Sequence, residues 1–111
     1  MNTTMLDWKK AMQDAHENRG LYTAHLMEFI GTEQDAPSKI RALLRNGNAE
    51  EAHAAVHSLR EKARNLGAGA LAAAALELEM TVKAGADAEH ALCRFADTHM
   101  DTLLAMQAFM A

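Results

Sequence analysis

Among the side chains of this 111-residue sequence, His57 stands where residue type and spacing could together do chemistry. A free imidazole titrates near about 6.5, so at cytoplasmic pH one ring nitrogen keeps a lone pair able to attack phosphorus. The product would be a phosphohistidine. At helical spacing Arg60 and Glu61 lie one turn beyond His57, Arg64 two turns beyond and His53 one turn before it. The forked donors of Arg60 and Arg64 suit phosphate oxygens better than a point charge does, which makes them candidate phosphate-stabilising cations. The same spacing also describes an ordinary solvated helix face, so the wider sequence has to decide between the two.

Positioning His57 falls to a series of helical segments separated by short breaks. A first short helix is expected over residues 5–17, closed near Asn18-Arg19-Gly20 with Gly20 in the left-handed conformation. A second covers residues 21–34, with Tyr22, Leu26, Phe29 and Ile30 on one face. Asp35 caps a third, Pro37 fits its first turn, and Asn46-Gly47-Asn48 ends it while Asn48 and Glu51 form a relaxed capping box for the next. The fourth helix, residues 49–66, carries the apolar stripe Ala52, Val56, Leu59, Ala63 and Leu66, and a rotation of about 100° per residue puts His57 off that stripe toward solvent. Gly67-Ala68-Gly69 breaks it. A fifth helix follows with Leu71, Ala75, Leu78 and Val82, ending at Gly85, and Asp87 caps a last one bearing Leu92, Phe95, Ala96, Leu103, Met106 and Met110.

Composition agrees with that division. Half the residues are hydrophobic, aromatics make up 5%, and proline occurs once, which favours helix over strand. One all-α domain over residues 1–111 is expected, an antiparallel four-helix bundle with an additional short N-terminal helix. The net charge of −4, with the basic residues spread among acids, disfavours nucleic-acid binding. A lone cysteine, Cys93, points to a reducing setting, and the opening Met1–Lys10 stretch has no apolar leader. No run approaches the roughly 20 apolar residues of a membrane span. A cytoplasmic protein without a membrane anchor, taken as a monomer, is expected.

The string Ala55-Val56-His57-Ser58-Leu59-Arg60-Glu61-Lys62-Ala63-Arg64-Asn65-Leu66-Gly67-Ala68, followed by Leu71 and Leu76-Glu77-Leu78-Glu79, resembles the signature of histidine-containing phosphotransfer (HPt) domains. In that family the phosphorylated histidine precedes a small or hydroxyl-bearing residue, then Leu, Lys and Gly, and later a Leu-Gly-Ala turn into an Ala- and Leu-rich helix. His57, Ser58, Leu59, Ala63, Leu66, Gly67 and Ala68 match it here. Arg60 replaces the usual Lys and keeps a cation, Glu61 replaces a Gly that leaves the histidine open, and Lys62 replaces a small residue. The resemblance implies a phosphorelay intermediate that takes a phosphoryl group on His57 from a receiver-domain aspartate and passes it to another receiver domain. It would be a carrier rather than a complete enzyme, with no cofactor of its own. Its partners would be the receiver domain of a response regulator or of a hybrid histidine kinase, which brings the Mg²⁺. Glu61 would tune or block access to His57, and docking would use an apolar patch shared with the neighbouring helix.

Two other readings compete. With Glu61 blocking chemistry, the same scaffold would be a phosphorylation-independent interaction module that binds a receiver domain or a kinase. Alternatively, Glu50 with His53 gives one Glu-x-x-His pair of the type used in metal-binding bundles, and Asp87 with His90 an approximate second. Both pairs fall in first turns, where solvated charges are expected. His16, His25 and His99 are expected at the surface or its boundary, Cys93 as a small buried residue, and the methionines mainly as core filler.

Overall fold

The structure, a computed structural model, describes residues 5–14 and 16–111. Residues 1–4, and Ala15 inside the expected first helix, lie outside the described residues. Six helices run α1 Trp8–Asp14, α2 Arg19–Glu33, α3 Ala36–Arg45, α4 Ala49–Asn65, α5 Gly69–Lys83 and α6 Glu89–Met110, with no strand among the described residues. The protein is thus all-helical. None of these helices is long and apolar enough to cross a membrane.

The first boundary differs from expectation. Gly20 does not close a helix but lies in the first turn of α2, and the chain reverses through His16 and Glu17 at φ 58° and 57°. The reason is Asn18, whose Oδ1 accepts the Leu21 N–H at 2.9 Å and satisfies a donor that a starting helix would otherwise leave bare. Asn48, unlike Asn18, makes no side-chain cap. Its N–H instead donates to the Leu43 carbonyl at 2.8 Å and closes α3, so the relaxed capping box does not form. Asp35 precedes α3 without a side-chain bond, whereas Asp87 accepts the Glu89 N–H at 3.0 Å.

α5 packs along α4 on one side and along α6 on the other, α3 lies against α4 and α6, and α2 meets α6 and α1. Only Gln34 and Asp35 separate α2 from α3. The apolar stripes supply the core as expected: Ala52, Val56, Leu59 and Ala63 of α4 and its C-cap Leu66 are buried in one cluster with Leu71, Ala75, Leu78 and Val82 of α5 and Leu92, Phe95 and Met106 of α6. Tyr22, Leu26 and Phe29 close the core from α2.

Two residues of α6 depart from expectation. Cys93 is exposed, because it faces away from Leu92 and Phe95 and lies 3.3 Å from the Glu89 carboxylate. His99 is buried rather than at the boundary. Its Nε2–H donates to the Glu33 carbonyl at 2.7 Å, one of the carbonyls that the end of α2 leaves without a helical partner. Burial holds its pKa below the ordinary value of 6.5 and outweighs the opposing hydrogen bond and Glu33 charge.

The turn between α4 and α5 is closely overlaid by the N-terminal segment. Gly67, at φ 83°, lets its N–H reach the Arg64 carbonyl and lets Ala68 N–H reach Ala63, closing α4. The N-terminal segment then crosses directly over it: Asp7 N–H donates to the Gly67 carbonyl at 2.8 Å, and a Cβ on Gly67 would sit 2.3 Å from the Asp7 carbonyl oxygen. Beside it the buried Tyr22 hydroxyl donates to the Leu66 carbonyl at 2.7 Å. Burial first, and the Asp7 charge second, push that hydroxyl's pKa up to about 12.

Gly67→Ala should therefore cost about 2–4 kcal/mol in denaturant unfolding, from backbone strain and the clash with Asp7 together. A second outcome concerns acid. A histidine whose folded-state pKa is depressed contributes stability above its unfolded value and loses it as pH falls through the window beneath, so stability should decline below 6.5. His99→Gln keeps a donor for Glu33 and should flatten that part of the stability–pH curve.

Candidate functional site

α4 presents its polar face beside α5 because its apolar stripe is used up in the core. Val56 and Leu59 are fully buried, which rotates His57 outward and leaves its side chain 51% exposed. Across from it on α5, Glu79 follows Leu78 and Ala75 and so lies at the edge of the buried stripe, where its side chain is only 11% exposed. A carboxylate at that depth needs partners to offset lost hydration. Arg60 Nε–H donates to Glu79 Oε1 at 2.9 Å, and His57 Nδ1 lies 3.0 Å from Glu79 Oε2. His53, one turn earlier, brings its Nε2 to 3.3 Å from the same oxygen, with its ring nearly parallel to that of His57 at 6.5 Å between centroids.

The protonation of the site follows from donor and acceptor roles. His57 Nδ1 also lies 3.1 Å from Arg60 Nη2, yet a guanidinium can only donate and a carboxylate can only accept. One nitrogen cannot serve both. Both contacts involve an ionised partner, but Arg60 keeps Glu79 and Glu61 as acceptors without the ring, whereas placing the hydrogen elsewhere would set lone pairs of Nδ1 and the buried carboxylate against each other at 3.0 Å. The hydrogen therefore belongs on Nδ1, and the lone pair of neutral His57 belongs on Nε2, the ring nitrogen not engaged by Glu79. Burial would raise the Glu79 pKa, but the hydrogen bonds from Arg60 and His57, reinforced by their charge, hold it below the ordinary carboxylate value.

The two arginines are engaged in different ways. Arg60 is only 19% exposed in its side chain; besides Glu79 it places Nη1 3.4 Å from Glu61. Arg64, 64% exposed, reaches back along the helix to Glu61 at 2.6 Å. Glu61 therefore lies along α4 between two guanidiniums, and the carboxylate that meets His57 is Glu79. Lys62 points elsewhere and pairs with Glu33 of α2 at 2.8 Å.

Sequence spacing thus located His57, Arg60, Glu61 and Arg64 on one helix face but missed Glu79 as a member of the site. The available signal was a lone carboxylate directly after Leu78 on the α5 stripe, one turn beyond Ala75. The metal pairs are used otherwise: His53 turns to Glu79, His90 lies 2.7 Å from Arg94, and Asp87, one residue before the Ala88 cap of α6, accepts the Glu89 N–H. Among the described residues no group of three or more His, Cys, Asp or Glu side chains has a metal-holding arrangement.

Because the folded-state pKa of Glu79 is depressed, its pairing stabilises the fold fully above the ordinary value of 4.5 and is lost as pH falls beneath it. The difference between wild-type and Glu79→Gln stability, followed by urea unfolding from pH 7 to pH 3, should shrink across that acid range. A difference independent of pH would remove the ion pairing from the account.

Comparison of the chain with family models, with curated proteins and with solved structures finds no match in any of the three.

Proposed function

We propose that this chain is a phosphohistidine carrier of the HPt type, taking a phosphoryl group on His57 Nε2 from a receiver-domain aspartate and passing it to another receiver. The observation that carries the proposal is the Glu79 carboxylate on His57 Nδ1, which leaves the opposite ring nitrogen as the nucleophile. Support for the scaffold comes from the packing of α3, α4, α5 and α6, each against two of the others. That arrangement suits an antiparallel four-helix bundle in which α2 leads into α3 and α1 is the short additional helix.

In the proposed step the Nε2 lone pair forms the bond to phosphorus while the bond from phosphorus to the aspartyl oxygen breaks, its electron pair leaving with the carboxylate. His57 keeps its Nδ1 hydrogen, so the ring gains positive character just where Glu79 can offset it. The receiver supplies the Mg²⁺ and the acidic pocket that stabilise the transferring group, and the carrier supplies a positioned ring and a surface to dock on. Leu76 and Met80, 42% and 62% exposed on either side of Glu79, are suitable apolar contacts for that docking. Arg60 is the cation beside the ring, with Nε on Glu79 and Nη2 3.1 Å from Nδ1, and meeting the new phosphoryl oxygens would draw it from these contacts.

The test is transfer itself. The protein, His57→Gln and Glu79→Gln are each mixed with a panel of phosphorylated receiver domains and Mg²⁺, and acid-labile phosphate is followed by intact mass. Wild type should gain one phosphoryl group and His57→Gln none, with Glu79→Gln slowed on the order of 10- to 100-fold through loss of ring orientation. Failure of wild type to gain phosphate from every receiver would sink the relay reading and leave a module that acts by binding alone.

A further inference from the structure

Glu61 occupies a position that no step above uses, although it touches both arginines of the site. Its carboxylate takes Arg64 Nη2 at 2.6 Å and Arg60 Nη1 at 3.4 Å. Arg60 is the guanidinium nearest the reactive ring: Nε is fixed on Glu79, Nη2 is 3.1 Å from His57 Nδ1, and Nη1 is the nitrogen that Glu61 draws away. A carboxylate and a phosphoryl group present similar oxygens to an arginine fork, so they compete for the same donors. Arg64 lies on the far side of Glu61 and meets it at the shorter distance, which balances part of the pull of Glu61 on Arg60.

Resting on the phosphohistidine reading, we propose that Glu61 sets the lifetime of the phosphoryl group on His57 by competing with it for Arg60, and that Arg64 acts on that lifetime only through Glu61. Arg64 is then a positioning residue and not a phosphate ligand. Loss of the group is hydrolysis: a water oxygen bonds to phosphorus, the Nε2–P bond breaks with its electron pair returning to Nε2, and orthophosphate departs with both hydrogens of the water while Nδ1 keeps its own. Expulsion of the ring draws on the electron density of the phosphoryl oxygens, so a guanidinium held on those oxygens slows the step. Glu61 shortens the lifetime by keeping Arg60 from them. Removing Arg64 gives Glu61 a firmer hold on Arg60 and shortens it further.

Phosphoramidate, a small-molecule phosphoryl donor, loads histidines without a receiver and so separates this inference from the relay. The protein, Glu61→Gln, Arg64→Ala and the double variant are loaded with phosphoramidate, with His57→Gln as the blank. Decay of acid-labile phosphate is then followed by intact mass, and circular dichroism reports the fold of each variant. Glu61→Gln should lengthen the half-life about 2- to 5-fold and Arg64→Ala should shorten it about 2-fold, the range expected for exposed ion pairs. In the Glu61→Gln background Arg64→Ala should then change nothing. An unchanged or shorter half-life in Glu61→Gln overturns the proposal, as does an Arg64→Ala effect that persists without Glu61, because Arg64 would then touch the phosphate directly. Loading of His57 without transfer from any receiver would sink the relay and leave this inference standing, whereas a His57 that takes no phosphoryl group even from phosphoramidate overturns both.

Discussion

One buried carboxylate organises the polar face of this protein. Glu79 lies at the edge of the α5 core stripe, too deep for water to solvate it fully, and its charge can stay there only if α4 delivers donors at the right height. Arg60 and His57 do so from adjacent turns, and His53 approaches from the turn before. The requirement runs in both directions. Pairing fixes how α4 sits along α5, and the same contact fixes which nitrogen of His57 bears hydrogen. A ring on an unsupported helix face would exchange tautomers and rotamers freely; here one carboxylate removes much of that freedom within the fold itself.

That register depends in turn on the turn joining the two helices. α4 and α5 are connected through Gly67, and the N-terminal segment is laid across it by the Asp7 to Gly67 bond while Tyr22 ties α2 to the neighbouring Leu66 carbonyl. The last turn of α6 reaches the same end of the molecule. Phe109 packs its ring 5.3 Å from Tyr22 and 5.6 Å from Trp8, and Arg19 covers the Phe109 ring and bonds its carbonyl. Chain segments far apart in sequence thus converge on one helix end, between two and three turns from His57. A lever of that length makes the placement of Gly67 matter to the site even though it touches none of the polar side chains.

Much of this was legible in the sequence, for a definite reason. Apolar residues at helical spacing announce which face is buried, and the stripes of α4 and α5 were therefore readable residue by residue, as was the outward direction of His57. Polar burial is a different matter, because it depends on what another helix offers at the same height. Nothing near His99 in sequence indicates that the last carbonyls of α2 will need a donor there, and nothing near Glu79 indicates that Arg60 will arrive. Cys93 failed in the opposite direction: residue type suggested burial, while its place on α6, one past Leu92, turned it to solvent. Boundaries failed where local hydrogen bonds compete, as when Asn18 starts α2 at the point where Gly20 would have stopped α1.

The charges around His57 bear on what a phosphoryl group would meet there. Arg60 and Arg64 are matched by Glu61 and Glu79, so the four side chains sum to zero formal charge, and each of the four already has an oppositely charged partner among the others. A site with a glycine in place of Glu61 would hold one uncompensated cation. Here a dianionic group on Nε2 would be stabilised only by rearranging existing pairs, and each rearrangement gives up an ion pair worth about 0.2–1 kcal/mol at the surface. On the proposed reading such a phosphoryl group is held less tightly than beside a free cation. That lowers the barrier to handing it on, and it makes the charge brought by the partner's docking surface a larger part of what decides the direction of transfer.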